Sequence, residues 1–337
     1  MLAANRTEAP PRSPAAPMHV LVTGGAGFIG SNTVDLLLNH GHSVRVLDNF
    51  ASGKRENLLA HAALDVVEGD IRDAATVERA MADITHVLHL AAQVFVPTSI
   101  AQPVLSGSIN IAGFLNVLDA ARRLGNKRVV YASSAAVYGL STDLPLTEAS
   151  LPMALSPYAL EKLVDDQYAQ LFVQLYGASA CGLRYFNVYG PRQDPRSAYS
   201  GVISKFCAVI AAGERLCVFG DGLQTRDFVA VADVARTNLA ALQSDIGGVV
   251  NVATGRSVTL LQLIRTLGEV VGRELPVDFA PARAGEVRLS EVKPSRLRDA
   301  LQIADPLPLR DGLVALLRSL DGSDPKERQA ESRERGA

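Results

Sequence analysis

Tyr158 and Lys162 stand four residues apart in the run Ser156-Pro157-Tyr158-Ala159-Leu160-Glu161-Lys162. Proline suits the first turn of a helix, and residues four apart on a helix share a face. A phenol titrates near about 10, so its use as a base at neutral pH requires a drop of about three units, roughly 4 kcal/mol. A neighbouring ammonium supplies part of that drop, and a second positive charge such as an oxidised nicotinamide supplies more. Upstream, Ala132-Ser133-Ser134-Ala135-Ala136-Val137-Tyr138-Gly139 follows an apolar run and brings the Ser134 hydroxyl to a strand end. The tyrosine and lysine alone fit any amphipathic helix. Their chemistry depends on what precedes them.

What precedes them is a nucleotide loop. His19-Val20-Leu21-Val22-Thr23 ends in Gly24-Gly25-Ala26-Gly27-Phe28-Ile29-Gly30, after which the apolar period lengthens to that of a helix. Strand, glycine turn and helix start follow from that pattern. Gly24 allows the tight turn, Gly27 the close approach of a pyrophosphate, and Gly30 the close packing of helix on strand, with helix N-terminal amides aimed at the anion. A dinucleotide is the expected ligand. A second strand, Ser43-Val44-Arg45-Val46-Leu47, ends at Asp48, whose carboxylate can accept hydrogen bonds from a ribose diol. Asp48 favours NAD, because the 2′-phosphate of NADP would meet like charge; Lys54 and Arg55 follow closely and could hold that phosphate.

These residues need a scaffold that gathers strand ends. Residues 64–68 read as a strand, 74–81 as a helix, 86–90 as a strand, 104–124 as one long helix and 127–132 as a strand. Repeated βαβ units imply a doubly wound, Rossmann-type parallel sheet with ligands at the carboxyl ends of its strands. There lie Asp70 and Ile71, placed to meet an adenine, and Leu90, Ala91 and Ala92, small enough for a ribose or nicotinamide to approach. Beyond the strand at 181–185 the βα rhythm weakens into a smaller α/β lobe. The expected organisation is a disordered tail at 1–17, a dinucleotide-binding domain at 18–185, a mainly substrate-binding lobe at 186–320 and a disordered tail at 321–337.

Composition narrows the partners. In 337 residues, 33 basic and 35 acidic side chains leave a formal charge of −2. That near-neutral balance provides no electrostatic footprint for nucleic acid or an anionic membrane. No run reaches the roughly eighteen uninterrupted apolar residues of a membrane helix, and the proline-rich start lacks a secretory core, so a cytoplasmic location is expected. Cys181, Cys207 and Cys217 stand in apolar contexts without a C-x-x-C pair and are expected as buried thiols. His86 and His89 turn to opposite faces of their strand, and no metal site is expected.

Taken together, the chain resembles the extended short-chain dehydrogenase/reductase family, in its nucleotide-sugar branch, over nearly all of residues 18–320. The resemblance rests on Thr23 to Gly30, Asp48-Asn49, Gly69-Asp70-Ile71, Leu90-Ala91-Ala92, Asn110, Ser133-Ser134, Tyr158 with Lys162, Arg184-Tyr185-Phe186-Asn187-Val188-Tyr189-Gly190-Pro191, and Gly220-Asp221-Gly222 with Thr225-Arg226-Asp227. It implies NAD held by Gly24, Gly27, Phe28, Ile29, Gly30, Asp48, Asn49, Asp70, Ile71, Leu90, Ala91, Ala92, Asn110, Tyr158 and Lys162. Ser134, Tyr158 and Lys162 are implied as the catalytic set. Dehydratases of this branch read T-D-E where this chain has Ser134-Ala135-Ala136, so the pattern is similar to that of the UDP-hexose 4-epimerases, which pass through a 4-keto sugar. A homodimer, built on the helix at 104–124 and the one bearing Tyr158, is implied as well.

The same resemblance assigns the substrate end. Asn187, Arg226 and Arg283 match positions that hold a diphosphate. Ser290 stands where a bulky tyrosine excludes acetamido sugars in stricter glucose/galactose enzymes, which implies UDP-N-acetylglucosamine and UDP-N-acetylgalactosamine, with UDP-glucose and UDP-galactose tolerated, in a route to surface polysaccharide. Departures at Glu286, Lys293 and Thr98 leave a UDP-uronic acid as the alternative, its 6-carboxylate facing Arg288 or Lys293. A non-catalytic NAD-binding regulator on the same fold is the alternative from another class.

Overall fold

The computed structural model describes residues 16–194, 201–282, 287–303 and 305–320. In chain order β1 (His19–Thr23), α1 (Phe28–Asn39), β2 (Ser43–Asp48), β3 (Leu64–Glu68), α2 (Ala74–Ala80) and β4 (His86–His89) open the molecule. Two short helices, α3 (Val96–Ala101) and α4 (Pro103–Gly107), a π-helical turn (Ser108–Ala112) and α5 (Gly113–Arg123) lead to β5 (Arg128–Ser134). A 3-10 turn (Ala135–Tyr138), α6 (Pro157–Tyr176) and β6 (Ser179–Tyr185) follow. The remainder comprises β7 (Asn187–Tyr189), α7 (Val202–Ala211), β8 (Leu216–Phe219), β9 (Thr225–Ala230), α8 (Val231–Leu242), β10 (Gly248–Val252), β11 (Ser257–Thr259), α9 (Leu260–Val271), β12 (Val277–Ala280), α10 (Ser295–Asp299) and α11 (Leu309–Leu320).

Seven strands form one parallel sheet in the order β10-β6-β5-β4-β1-β2-β3. β1 lies between β2 and β4, so the winding reverses beside it and opens a crevice at the strand ends. The apolar run of β1 is buried on both faces: Val20 and Val22 pack with Val34 and Leu37 of α1, while Leu21 packs with Val77 of α2 and Phe114 and Val117 of α5. This doubly covered sheet is the Rossmann-type architecture expected from the sequence.

Three expectations need amendment. The run at 104–124 is one continuous helix, from Pro103 to Arg123, but it is not α-helical throughout: a π-helical turn at Ser108–Ala112 lies within it, where Asn110 is buried. By length and composition Pro103–Arg123 could cross a membrane, but Phe114, Val117 and Leu118 are core residues. Second, the chain leaves the large sheet after β6 and returns: α8 packs on α1 and β10 pairs with β6. The smaller lobe is therefore assembled from two stretches around that return, with a core including Phe206, Leu263 and Leu313. Third, Cys181 and Cys207 are buried but Cys217 is exposed, because strand alternation sends Leu216 and Val218 inward on β8 and Cys217 outward.

Candidate active site

The glycine turn fits a dinucleotide on steric grounds. Gly24 has φ +71°, and a Cβ there would lie 2.7 Å from the amide nitrogen of Ala91, at the end of β4. A Cβ on Gly30 would lie 2.2 Å from the Gly24 carbonyl oxygen, so α1 packs directly on the turn. Gly27 is the N-cap of α1, and no side chain caps its first amides, those of Phe28 and Ile29 among them. Such amides, with the helix dipole, form an anion cradle.

Around the cradle the acidic side chains organise the walls. Asp48 is buried; its Oδ2 accepts from the Ala26 amide at 2.9 Å and Oδ1 from the Phe50 amide at 2.8 Å, fastening the end of β2 to the glycine turn. Asn49 donates to Asp70 at 3.0 Å. The Arg72 side chain grips the same carboxylate and is the main cause that holds it down at about 2. Lys54 faces Asp194 at 3.3 Å and Glu56 at 3.7 Å, and Arg55 pairs with Glu68, so both cations that could have met a 2′-phosphate already face carboxylates. The Ile71 side chain is packed against Gly113. Leu90 and Ala91 donate their amides to the Thr23 carbonyl and hydroxyl, which ties the end of β4 to that of β1; Ala92, half-buried, follows them.

Ser134 closes β5 and caps the 3-10 turn: its Oγ accepts from the Ala136 amide at 3.1 Å. With one lone pair so engaged, the hydroxyl proton remains to be donated elsewhere. Gly139 then turns the chain at φ +55°, where a Cβ would lie 1.9 Å from the Met153 carbonyl oxygen, and the Met153 amide bonds back to Val137 at 2.8 Å. The returning chain enters α6 through the Ser156 cap and Pro157. Tyr158, half-buried in the first turn, donates its amide to Ser99 Oγ at 3.2 Å.

One turn on, Lys162 Nζ lies 3.1 Å from Asp165 Oδ2. Burial pulls the Lys162 ammonium down; Asp165, Tyr158 and Asp166 act against it and carry the net shift upward. Lys162 is thus a charged group in a dry place, within electrostatic reach of the Tyr158 phenol. Asn110 spends its side chain on protein groups: it accepts from the Gln93 amide at 2.8 Å and donates to the Gln93 carbonyl at 2.8 Å and to Glu161 at 2.6 Å. It holds the loop after β4 against α6. The sequence reading passed over Glu161, Asp165 and Asp166. No local signal marks them: with Lys162 they form a polar stripe that reads as a solvated helix face, yet it lies on the face of α6 that is buried.

Asn187 and Arg226, two of the residues expected at the substrate end, stand on the neighbouring strands β7 and β9. A cavity of about 320 Å³ is lined by Asn187, Gln193, Gln224, Arg226 and Phe228 among others. Asn187 donates to the Asp227 carbonyl at 3.0 Å, and Arg226 to the carbonyls of Thr225 and Val287, each at 2.7 Å. Ser290, buried, donates its amide to Thr225 Oγ1 at 3.0 Å, one residue from Arg226. Arg283 and Glu286 lie outside the described residues. Arg288 is already forked onto Asp221, at 3.0 and 2.7 Å. No cluster of metal-ligating side chains occurs among the described residues.

Residues 20–253 match the model of the NAD dependent epimerase/dehydratase family. A putative UDP-glucose 4-epimerase of Methanocaldococcus jannaschii is 41% identical over 270 residues, 80% of this chain and 87% of the relative. A UDP-N-acetylglucosamine 4-epimerase from Methanobrevibacter ruminantium, solved with UDP-N-acetylmuramic acid, superposes with a TM-score of 0.87 at 37% identity, over 91% of this chain and 99% of that one. The UDP-glucose 4-epimerase of Thermus thermophilus, solved with NAD, gives 0.83 at 38% identity, over 91% and 100%. A glycine cradle shaped for a dinucleotide, a tyrosine and charged lysine on one helix, and a serine at the adjoining strand end thus occur in a chain that belongs to the NAD dependent epimerase/dehydratase family.

Proposed function

We propose that the protein is an NAD-dependent 4-epimerase of UDP-sugars that interconverts UDP-N-acetylglucosamine and UDP-N-acetylgalactosamine, and tolerates UDP-glucose and UDP-galactose. The observation that carries the reaction type is Tyr158 beside the charged, buried Lys162, with Ser134 followed by two alanines rather than acids. Without a carboxylic acid to protonate a leaving hydroxyl, elimination of water is poorly served; reversible oxidation of one carbinol is well served.

When bound over the turn of Gly24, Gly27 and Gly30 and against Asp48, NAD would supply the redox chemistry, reversible acceptance of the sugar's C4 hydride with its return to the opposite face. Tyr158 as phenolate removes the C4 hydroxyl proton in the first half and gives it back in the second, so the protein ends as it began. Ser134 donates a hydrogen bond to the C4 oxygen. Lys162 binds the cofactor ribose and, through its charge, favours the phenolate. Asn187 and Arg226, with Arg283, hold the diphosphate; the forked donors of a guanidinium suit two phosphate oxygens.

The substrate reading rests on Ser290, which leaves room for an acetamido group, and is supported by the acetamido sugar carried by the Methanobrevibacter relative. Of the two partners expected for the 6-carboxylate of a UDP-uronic acid, Arg288 is paired with Asp221 and Lys293 is exposed. The exposed apolar side chains Ile100, Val104, Leu160 and Leu175 on α3, α4 and α6 support a homodimer packed through these helices. Incubation of the purified protein separately with UDP-N-acetylglucosamine, UDP-glucose and UDP-glucuronic acid, followed through the anomeric NMR signals and NADH absorbance, tests the function. Conversion of the first without accumulation of NADH is expected; conversion of the glucuronic acid alone would overturn the substrate.

A further inference from the structure

Lys162 and Asp165, three residues apart on α6, meet at 3.1 Å with side chains 2% and 1% exposed. The second carboxylate oxygen, Oδ1, is shut away from solvent without a hydrogen-bond partner. A buried ion pair adds little stability over well-packed apolar side chains, and an orphaned carboxylate oxygen makes it costlier. The two neighbouring acids are engaged elsewhere: Asp166 by Arg184 and Tyr131, Glu161 by Ser106 and Asn110. Asp165 is committed to Lys162.

We propose that Asp165 is a positioning residue for the epimerisation: its carboxylate fixes the Lys162 ammonium in the dry floor of the site and keeps it protonated for the cofactor ribose and for Tyr158. This rests on the role of Lys162 given above. The other groups that bear on the pair cannot replace it. From β4, His89 is held neutral by burial. Tyr131 of β5 is kept protonated by burial, and Tyr138 of the 3-10 turn is pushed the same way. Arg184 of β6 is spent on Asp166. Burial opposes the charge on Lys162, and Asp165 is the largest influence that restores it.

The Asp165→Asn variant keeps the size of the side chain and removes its charge. Calorimetric titration of the apo-protein with NAD across neutral to alkaline pH, alongside the pH profile of kcat, reads the effect. In the variant the alkaline limb of both moves down by roughly one pH unit, since Lys162 loses its proton more readily; Asp165→Glu moves it back. Wild-type profiles in Asp165→Asn overturn the proposal. Should that variant fail to fold, the wild type still decides: by NMR on protein carrying isotope-labelled lysine, the Lys162 Nζ signal titrates above the ordinary lysine value, and titration at or below it overturns the proposal. Full NAD binding and turnover in Lys162→Ala would instead remove the reading of Lys162 itself, so the two failures are distinct.

Discussion

Arg184 reaches Asp166 through two nitrogens, Nε at 3.0 Å and an η nitrogen at 2.9 Å, beneath the turn that Ser134 caps. The remaining η nitrogen donates to the Tyr138 hydroxyl at 2.8 Å, which donates in turn to Asn251 at 2.7 Å. The strand end bearing the serine, the helix bearing the tyrosine and the edge strand β10 are thus joined through one buried cation. Arg184→Met leaves the Asp166 carboxylate buried without its counter-charge, and is expected to lower stability by roughly 3–5 kcal/mol in urea unfolding. Pairing it with Asp166→Leu should recover most of the loss. A single variant as stable as the wild type would contradict the account.

Tyr158→Phe removes the proton acceptor while keeping the ring. Turnover should fall by roughly 10²–10⁴-fold, with NAD binding retained because the glycine cradle is untouched. Ser134→Ala should cost less, and part of that cost is structural, since the Ala136 amide loses its partner. Ser134→Thr restores both functions. Steady-state kinetics with NAD titration separates the cases; equal loss of binding and turnover in Tyr158→Phe would argue against a chemical role.

Much of this was legible in the chain. The apolar run of β1, the spacing of Gly24, Gly27 and Gly30, and the proline-led helix are local signals, and local signals survive folding. Less legible was whatever depends on contacts distant in sequence. The π-helical turn within the helix after Pro103 falls where Asn110 turns inward to the Gln93 backbone and to Glu161 on another helix; apolar periodicity alone does not register it. The return of β10 to the large sheet is a choice of partner for a strand that reads like any other. Asp165 sits in a run of acids that, on composition, would be a solvated helix face; only its packing against β5 and β6 makes it the counter-charge of Lys162.

Gly30→Ala tests the cradle. The added methyl would lie 2.2 Å from the Gly24 carbonyl oxygen, a backbone atom that cannot step aside, so α1 must shift away from the turn. NAD affinity should fall at least tenfold by calorimetry while circular dichroism stays near native. Unchanged affinity would mean that the diphosphate is held elsewhere.

Ser290→Tyr tests the substrate. Ser290 is buried beside Thr225 and Arg226, so a phenol there must project toward the sugar or displace its neighbours. The ratio of kcat/KM for UDP-N-acetylglucosamine to that for UDP-glucose should fall by tenfold or more, mostly through the acetamido substrate. An unchanged ratio would place the acetamido group away from Ser290.

His89 ties stability to pH. Its Nδ1 is 2.8 Å from the Thr23 hydroxyl, its ring stacks on Phe114, and Nε2 is buried without a partner. Burial, assisted by the nearby Lys162 charge, pulls its pKa down to about 3. The unfolded chain binds a proton at this residue near about 6.5, whereas the folded protein does not until far lower pH. The contribution of His89 is therefore intact above the unfolded value and is lost as pH falls from there toward the folded one, at up to roughly 1.4 kcal/mol per pH unit. His42 and His86 are also lowered by burial and contribute in the same direction. Burial raises Asp165 and Asp166, which opposes the trend. Only the difference between wild type and a His89 variant isolates its share. His89→Gln, which has no such proton to bind, should begin less stable at pH 7.5 yet lose less on going to pH 5, measured as the shift in urea midpoint. Equal slopes for the two proteins would mean that His89 binds its proton in the folded state as readily as in the unfolded chain, and would overturn this account of its burial.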